Sequence, residues 1–217
     1  MNESTTVALS MVDHKNFGDD FIRLTGHRPF PWQRRLFREW FAQGCVSSCC
    51  DIPTGLGKTS VMAIWYLALR AGASVPRRLV YVVDRRAVVD QATTIAGEIK
   101  EKSDDSTLRI STLRGQHVDN RAWLADPAAP AIIVGTIDMI GSRLLFSGYG
   151  VSRRMRPYHA GLMGADTLVI LDESHLVPPF ERLLEAIENG METFGPHEKA
   201  DRKVLPRFKL LGLAREK

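Results

Sequence analysis

Pro53-Thr54-Gly55-Leu56-Gly57-Lys58-Thr59-Ser60 decides how this chain is read. A candidate strand, Val46 to Asp51, precedes it, and Ser60 to Ala71, apolar nearly all round, follows it as a helix enclosed by the fold. Strand, glycine loop, Lys-Thr and helix form the context of a phosphate-binding loop. Gly55 and Gly57 let the backbone curl until its N–H groups point inward at an anion, and the helix N-terminus adds positive potential. In that loop Lys58 neutralises the β and γ phosphates of ATP and the Thr59 hydroxyl reaches Mg²⁺, while Thr54, Leu56 and Ser60 complete the cradle. The strict pattern places a glycine where this chain has Ile52, so the match is to a variant form of the loop.

Beyond the loop, short apolar runs alternate with longer amphipathic ones, the pattern of a parallel α/β sheet. Strands are expected at Arg78 to Val83, Thr107 to Thr112, Ala131 to Gly135, Thr167 to Leu171 and Phe208 to Leu213. LVYVV, AIIVG and TLVIL are apolar at consecutive positions, as strands covered on both faces must be. Trp32, Leu36, Phe37, Trp40 and Phe41 recur at helical spacing, and so do Val88, Val89, Ala92, Ile95, Ala96 and Ile99, which predicts helices over Trp32 to Ala42 and Arg86 to Lys100. Loops are expected at Gly72 to Pro76, Asp126 to Pro130 and Gly148 to Pro157.

The run Leu168 to Leu171 delivers Asp172-Glu173-Ser174-His175 at its C-terminal end, where ligands of parallel sheets bind. Asp172 is placed to hold Mg²⁺ together with Thr59, and Glu173 to orient and deprotonate an attacking water. Either residue alone reads equally well as a helix cap or a solvated turn. The phosphate loop turns the pair into the second half of one site, expected where two neighbouring strand ends converge.

Composition sets the remaining bounds. The chain has 217 residues, 44% hydrophobic and 25% charged, with a net charge of +4 and a pI near 9.1. This is one globular domain with a mild basic excess, compatible with a polyanion and not demanding one. The longest clean apolar stretch, Val61 to Leu69, falls short of the roughly 20 residues that cross a bilayer, and no secretory signal opens the chain, so a cytoplasmic protein is expected. Cys45, Cys49 and Cys50 lack a fourth ligand at zinc spacing and read as buried thiols in a strand.

These residues resemble superfamily 2 helicases, with DESH a variant of their DExH box. PFPWQRRLF, DIPTGLGKTS, VYVVDRRAVVDQA, GTIDMIGSRLLFSGYGVS and LVILDESHL together resemble the CRISPR-associated helicase of type I systems, most of all its subtype I-U variant, from about Phe17 to Lys217. The resemblance implies a single RecA-like domain over residues 1–217, with helices on both faces of a mostly parallel sheet and residues 1–16 a candidate flexible lead. It implies that Gln33 reads adenine, the alternative being an exposed helix glutamine. It assigns His175 to the catalytic box and matches Arg85, Arg86, Arg114, Gly115, Gln116, Thr136, Asp138 and Arg143 to motifs that track single-stranded DNA. Each of these alone reads equally well as a solvated loop or a cap. Arg143 to His159 also interleaves arginines with Phe146, Tyr149 and Tyr158 and holds no acidic residue, which suits stacking on single-stranded bases or a basic surface loop with rings tucked inward.

The resemblance further implies a CRISPR surveillance complex as partner, together with a second RecA-like domain and a nuclease domain that these 217 residues do not accommodate. No histidine is followed by Asp, and the strand Phe208 to Leu213 lacks the Ser and Thr of the family's coupling motif. The chain is therefore expected to be the first motor domain of a longer protein, without a membrane partner.

Overall fold

A computed structural model describes residues 16–114, 117–118, 121–194, 197–198, 200–201 and 207–214. Seven strands form one sheet: β1 (Cys49–Asp51), β2 (Arg78–Val83), β3 (Arg109–Arg114), β4 (His117–Val118), β5 (Ala131–Thr136), β6 (Thr167–Asp172) and β7 (Phe208–Ala214). Their order is β1-β7-β6-β2-β5-β3-β4. Every pairing is parallel except that of β3 with β4. The chain is thus a doubly covered parallel sheet of the RecA-like kind.

All six residues of β2 and of β5 are buried, Leu79 to Val83 and Ala131 to Gly135 as their apolar runs require, and Arg78 with its guanidinium on the carbonyls of Pro127 and Ala165. Alternate side chains serve opposite faces: Leu79, Tyr81 and Val83 enter one core cluster, Val80 and Val82 the other. The first cluster is closed by α1 (Phe17–Thr25), α2 (Pro31–Arg35), α3 (Val61–Arg70) and α4 (Arg86–Ser103). The second is closed by α5 (Ala122–Ala125), α6 (Ile137–Leu144), α7 (Arg156–Gly164) and α8 (Pro178–Phe194). Helix α3 buries eight of its ten residues, which accounts for its lack of a polar stripe.

Four expectations are corrected. The first strand is shorter than Val46 to Asp51 and lies at the edge of the sheet, so Cys45 and Cys49 are exposed and Cys50 is half-buried. The helix expected from Trp32 to Ala42 widens into a π turn over Leu36–Trp40 and tightens into a 3₁₀ turn over Phe41–Gln43. That change of pitch turns Trp40 outward, to 39% exposure, while Phe41 stays buried. The loop expected across Gly148 to Pro157 contains a 3₁₀ turn, Arg153–Met155, and the start of α7. Finally, β1 and β6 are not neighbours, because β7 lies between them and pairs with both.

Candidate functional site

Parallel strands bring all their C-terminal ends to one edge, and the phosphate loop and the DESH segment leave the sheet at that edge. Ile52 is buried, its N–H bonded to Ala214 of β7, so the loop springs from a fixed point. Gly55 and Gly57 adopt φ of 86° and 71°, left-handed values that side chains resist. Gly57 is doubly constrained, because a Cβ there would lie 3.2 Å from Nε2 of Gln33.

The loop is braced from α2. The Trp32 indole donates to the Leu56 carbonyl at 3.1 Å. Gln33 donates to Ser60 Oγ at 2.6 Å and to the Gly57 carbonyl at 3.4 Å, while its own Oε1 accepts from the Phe30 N–H at 2.8 Å. Ser60 Oγ donates in turn to the Gly57 carbonyl. Gln33 is therefore 2% exposed and engaged at both ends of its amide. It is neither the exposed glutamine of one reading nor free for adenine, and pairing with a base would mean exchanging these bonds.

Lys58 opens a 3₁₀ turn, Lys58–Ser60, that leads into α3. Its side chain is 8% exposed and its ammonium donates to Glu173 Oε1 at 2.7 Å, joining loop and acidic segment across 115 positions of sequence. Glu173 holds this position with a left-handed backbone, φ 49°, a conformation that costs on the order of 1 kcal/mol for a residue with a Cβ. His175 is exposed and places Nδ1 3.6 Å from Glu173 Oε2.

Asp172 ends β6 half-buried. Its Oδ2 accepts from the Tyr81 hydroxyl at 2.9 Å, and its Oδ1 is buried with no hydrogen-bond partner. Burial raises the Asp172 pKa above the usual carboxylate range, against the opposing pull of the Tyr81 hydrogen bond and of Lys58. An unpaired, buried carboxylate oxygen beside a hydroxyl side chain is a donor set suited to a hard divalent cation. Thr54, Gly55, Lys58, Thr59, Asp172 and Glu173 line one cavity of about 520 Å³, whose outer walls include His27 and the α4 residues Gln91 and Glu98. That volume lies within the range of small-molecule sites.

Along the same edge, Arg85 and Arg86 follow β2 and both are exposed, Arg85 with Asp84 at 3.6 Å. Thr136 ends β5, buried and in register with Val83, and Asp138 is exposed in the first turn of α6. Arg114 ends β3 and pairs with Asp90 of α4. Gly115 and Gln116 lie outside the described residues.

Arg143 departs from expectation. It is 1% exposed, and its guanidinium donates back to the Met139 carbonyl at 2.8 Å and to that of Tyr149 at 3.5 Å, so it faces the packed interior and not a passing strand. Around it, Phe146 and Tyr149 are 62% and 60% exposed. Of the two readings of Arg143 to His159, the rings stand outward on the surface and this arginine is the part tucked in.

Sequence reasoning missed Tyr81, hidden inside an apolar run. The available signal was its hydroxyl, since a buried phenol needs a hydrogen-bond partner.

The family described as "Type III restriction enzyme, res subunit" matches residues 26–194. No curated protein matches the chain. The crystal structure of the DUF1998 helicase MrfA bound to DNA and AMPPNP is similar at a TM-score of 0.63 and 14% identity, over 93% of this chain and 26% of that one. The UvsW helicase from bacteriophage T4 aligns at a TM-score of 0.48 and 18% identity, over 87% of this chain and 52% of that one. The Sulfolobus solfataricus SWI2/SNF2 ATPase core in complex with dsDNA aligns at 0.49 and 12%, over 89% and 33%. The chain spans about a quarter of the length of MrfA, and that likeness shows the RecA-like fold. With the family model covering the phosphate loop, the DESH segment and the strands between them, the chain belongs to the type III restriction enzyme res subunit family of helicase-type ATP-binding motor domains.

Proposed function

We propose that residues 1–217 form the ATP-binding first motor domain of a CRISPR-associated DNA helicase, which turns ATP hydrolysis into movement on single-stranded DNA once a second RecA-like domain completes it. The observation that carries the nucleotide reading is the convergence of Lys58, Thr59, Asp172 and Glu173 on one cavity, with Asp172 Oδ1 buried and unpaired. Thr59 and Asp172 would hold Mg²⁺, which supplies positive charge against the β and γ phosphates when bound.

The chain's own residues divide the remaining work. Backbone N–H groups from Thr54 to Ser60 and the start of α3 cradle the phosphates. Lys58 exchanges its Glu173 partner for a phosphate oxygen, and that exchange frees Glu173 to accept a proton from water. His175, 3.6 Å from Glu173, is the neighbour that steadies this carboxylate. Gln33 reports on the loop through Ser60 and Gly57. The exposed Arg85 and Arg86, with Thr136, Asp138 and Arg114 at the same sheet edge, line the track for a DNA backbone, which they grip without reading its sequence.

The CRISPR association, with a surveillance complex as partner, rests on the sequence strings quoted above. A second reading, the motor of a restriction translocase, is favoured by the family that matches residues 26–194. It keeps the same chemistry and changes the partner. DNA-stimulated ATP hydrolysis tests the shared core: stimulation in the wild type that is lost in Glu173→Gln is expected. DNA binding without turnover in either protein would instead make the chain a binding module, as the missing Ser and Thr on β7 would suit.

A further inference from the structure

Tyr81 is a phenol at the centre of β2, 0% exposed, on a strand whose other residues are apolar except Arg78, which bonds carbonyls at the opposite strand end. In register Tyr81 faces Ile170 of β6, two positions before Asp172, so its ring runs along the sheet and its hydroxyl reaches the strand end. There it donates to Asp172 Oδ2 at 2.9 Å. The side chain of Thr59 neighbours the same phenol oxygen.

The hydrogen-bond arithmetic is restrictive. A hydroxyl has one proton to give and lone pairs to accept with. If Tyr81 gives its proton to Asp172 Oδ2, its oxygen can take the proton of Thr59. Each partner is then left with its remaining electron pairs: the Thr59 oxygen on one side, and Asp172 Oδ1 on the other, buried and without a partner. Phenylalanine would fill the same core volume, so the hydroxyl has no packing purpose.

We propose that Tyr81 is a positioning residue for the divalent cation: its single hydroxyl ties Thr59 of the phosphate loop to Asp172 of the acidic segment and leaves the lone pairs of both free for the metal. This deepens the nucleotide reading above and rests on it. Tyr81 is itself fully buried. It acts through the two ligands, whose spacing it sets, as outer-shell partners do at other metal sites.

The test is Mn²⁺ binding, followed by electron paramagnetic resonance, to the full 217-residue chain with AMPPNP present, for wild type and Tyr81→Phe. Thermal melts of both proteins accompany the titration. Loss of an outer-shell partner costs roughly 10–100-fold in metal affinity, so Tyr81→Phe is expected to raise the Mn²⁺ concentration for half-saturation about tenfold or more. Binding of a labelled nucleotide in EDTA is expected to stay unchanged. Tyr81→Met, a second apolar filler without the hydroxyl, must shift the titration in the same direction. Equal Mn²⁺ affinity in wild type and either folded variant overturns the role of Tyr81 alone. Failure of the wild type to bind Mn²⁺ with AMPPNP overturns the nucleotide site itself and Tyr81's role with it.

Discussion

Glu173 combines a left-handed backbone with a carboxylate held by the Lys58 ammonium. Removing its charge while keeping its shape separates binding from chemistry: Glu173→Gln is expected to retain nucleotide affinity and to lose hydrolysis by two orders of magnitude or more, as loss of a general base usually costs roughly 10²–10⁴. Rapid-quench ATPase assays beside equilibrium binding check both halves. A different residue contributes to the acid side of stability. His159 is buried against Trp123, and burial, reinforced by Arg143 and Arg121, lowers its pKa to about 4. The folded state therefore prefers the neutral ring, whereas the unfolded chain takes up a proton near 6.5. Stability from this group is full above about 6.5 and falls as pH drops toward 4. His159→Phe is expected to flatten that part of the melting-temperature profile between pH 7 and 4, and an unchanged slope would show that other groups set it.

Among elements, the phosphate loop is the most tightly specified. Gly57→Ala is expected to destabilise the chain by roughly 1–2 kcal/mol through its positive φ, and to weaken nucleotide binding by pressing on Gln33. Denaturant unfolding with and without ATP reads both effects. Strands β2, β5 and β6 were legible almost to the residue, because a strand buried on both faces must be apolar throughout and few other segments are. The edge strand was not, since Val46 to Cys50 carries mixed residues and only three positions pair. The π turn over Leu36–Trp40 was hidden because its spacing differs from an α-helix by one residue over a single turn. In the site, Lys58, Thr59, Asp172 and Glu173 announced themselves by short motifs. Tyr81 did not, because its partner Asp172 lies 91 positions away, and the inward turn of Arg143 did not, because it depends on carbonyls four and six residues away whose direction only the packed loop fixes.

At the scale of the whole molecule, one geometric fact organises the surface: six parallel strand ends share an edge, so the cavity beside β1 and β6 and a row of polar groups after β2, β5 and β3 lie at one edge of the sheet. The exposed pair Phe146 and Tyr149 follows α6, the helix that leaves β5 at this edge. Stacking on such rings is worth about 1–3 kcal/mol per base, so Phe146→Ala combined with Tyr149→Ala is expected to weaken binding of an oligothymidine at least fivefold while leaving nucleotide affinity unchanged. Fluorescence anisotropy measures both, and equal oligothymidine affinity would remove these rings from the track. The most direct measurement is the equilibrium binding of fluorescently labelled ATP in the presence of Mg²⁺, wild type against Lys58→Ala. Saturable binding that the substitution abolishes is the expected result. Equal affinity in the two proteins would contradict a triphosphate seated between the glycine loop and the two carboxylates.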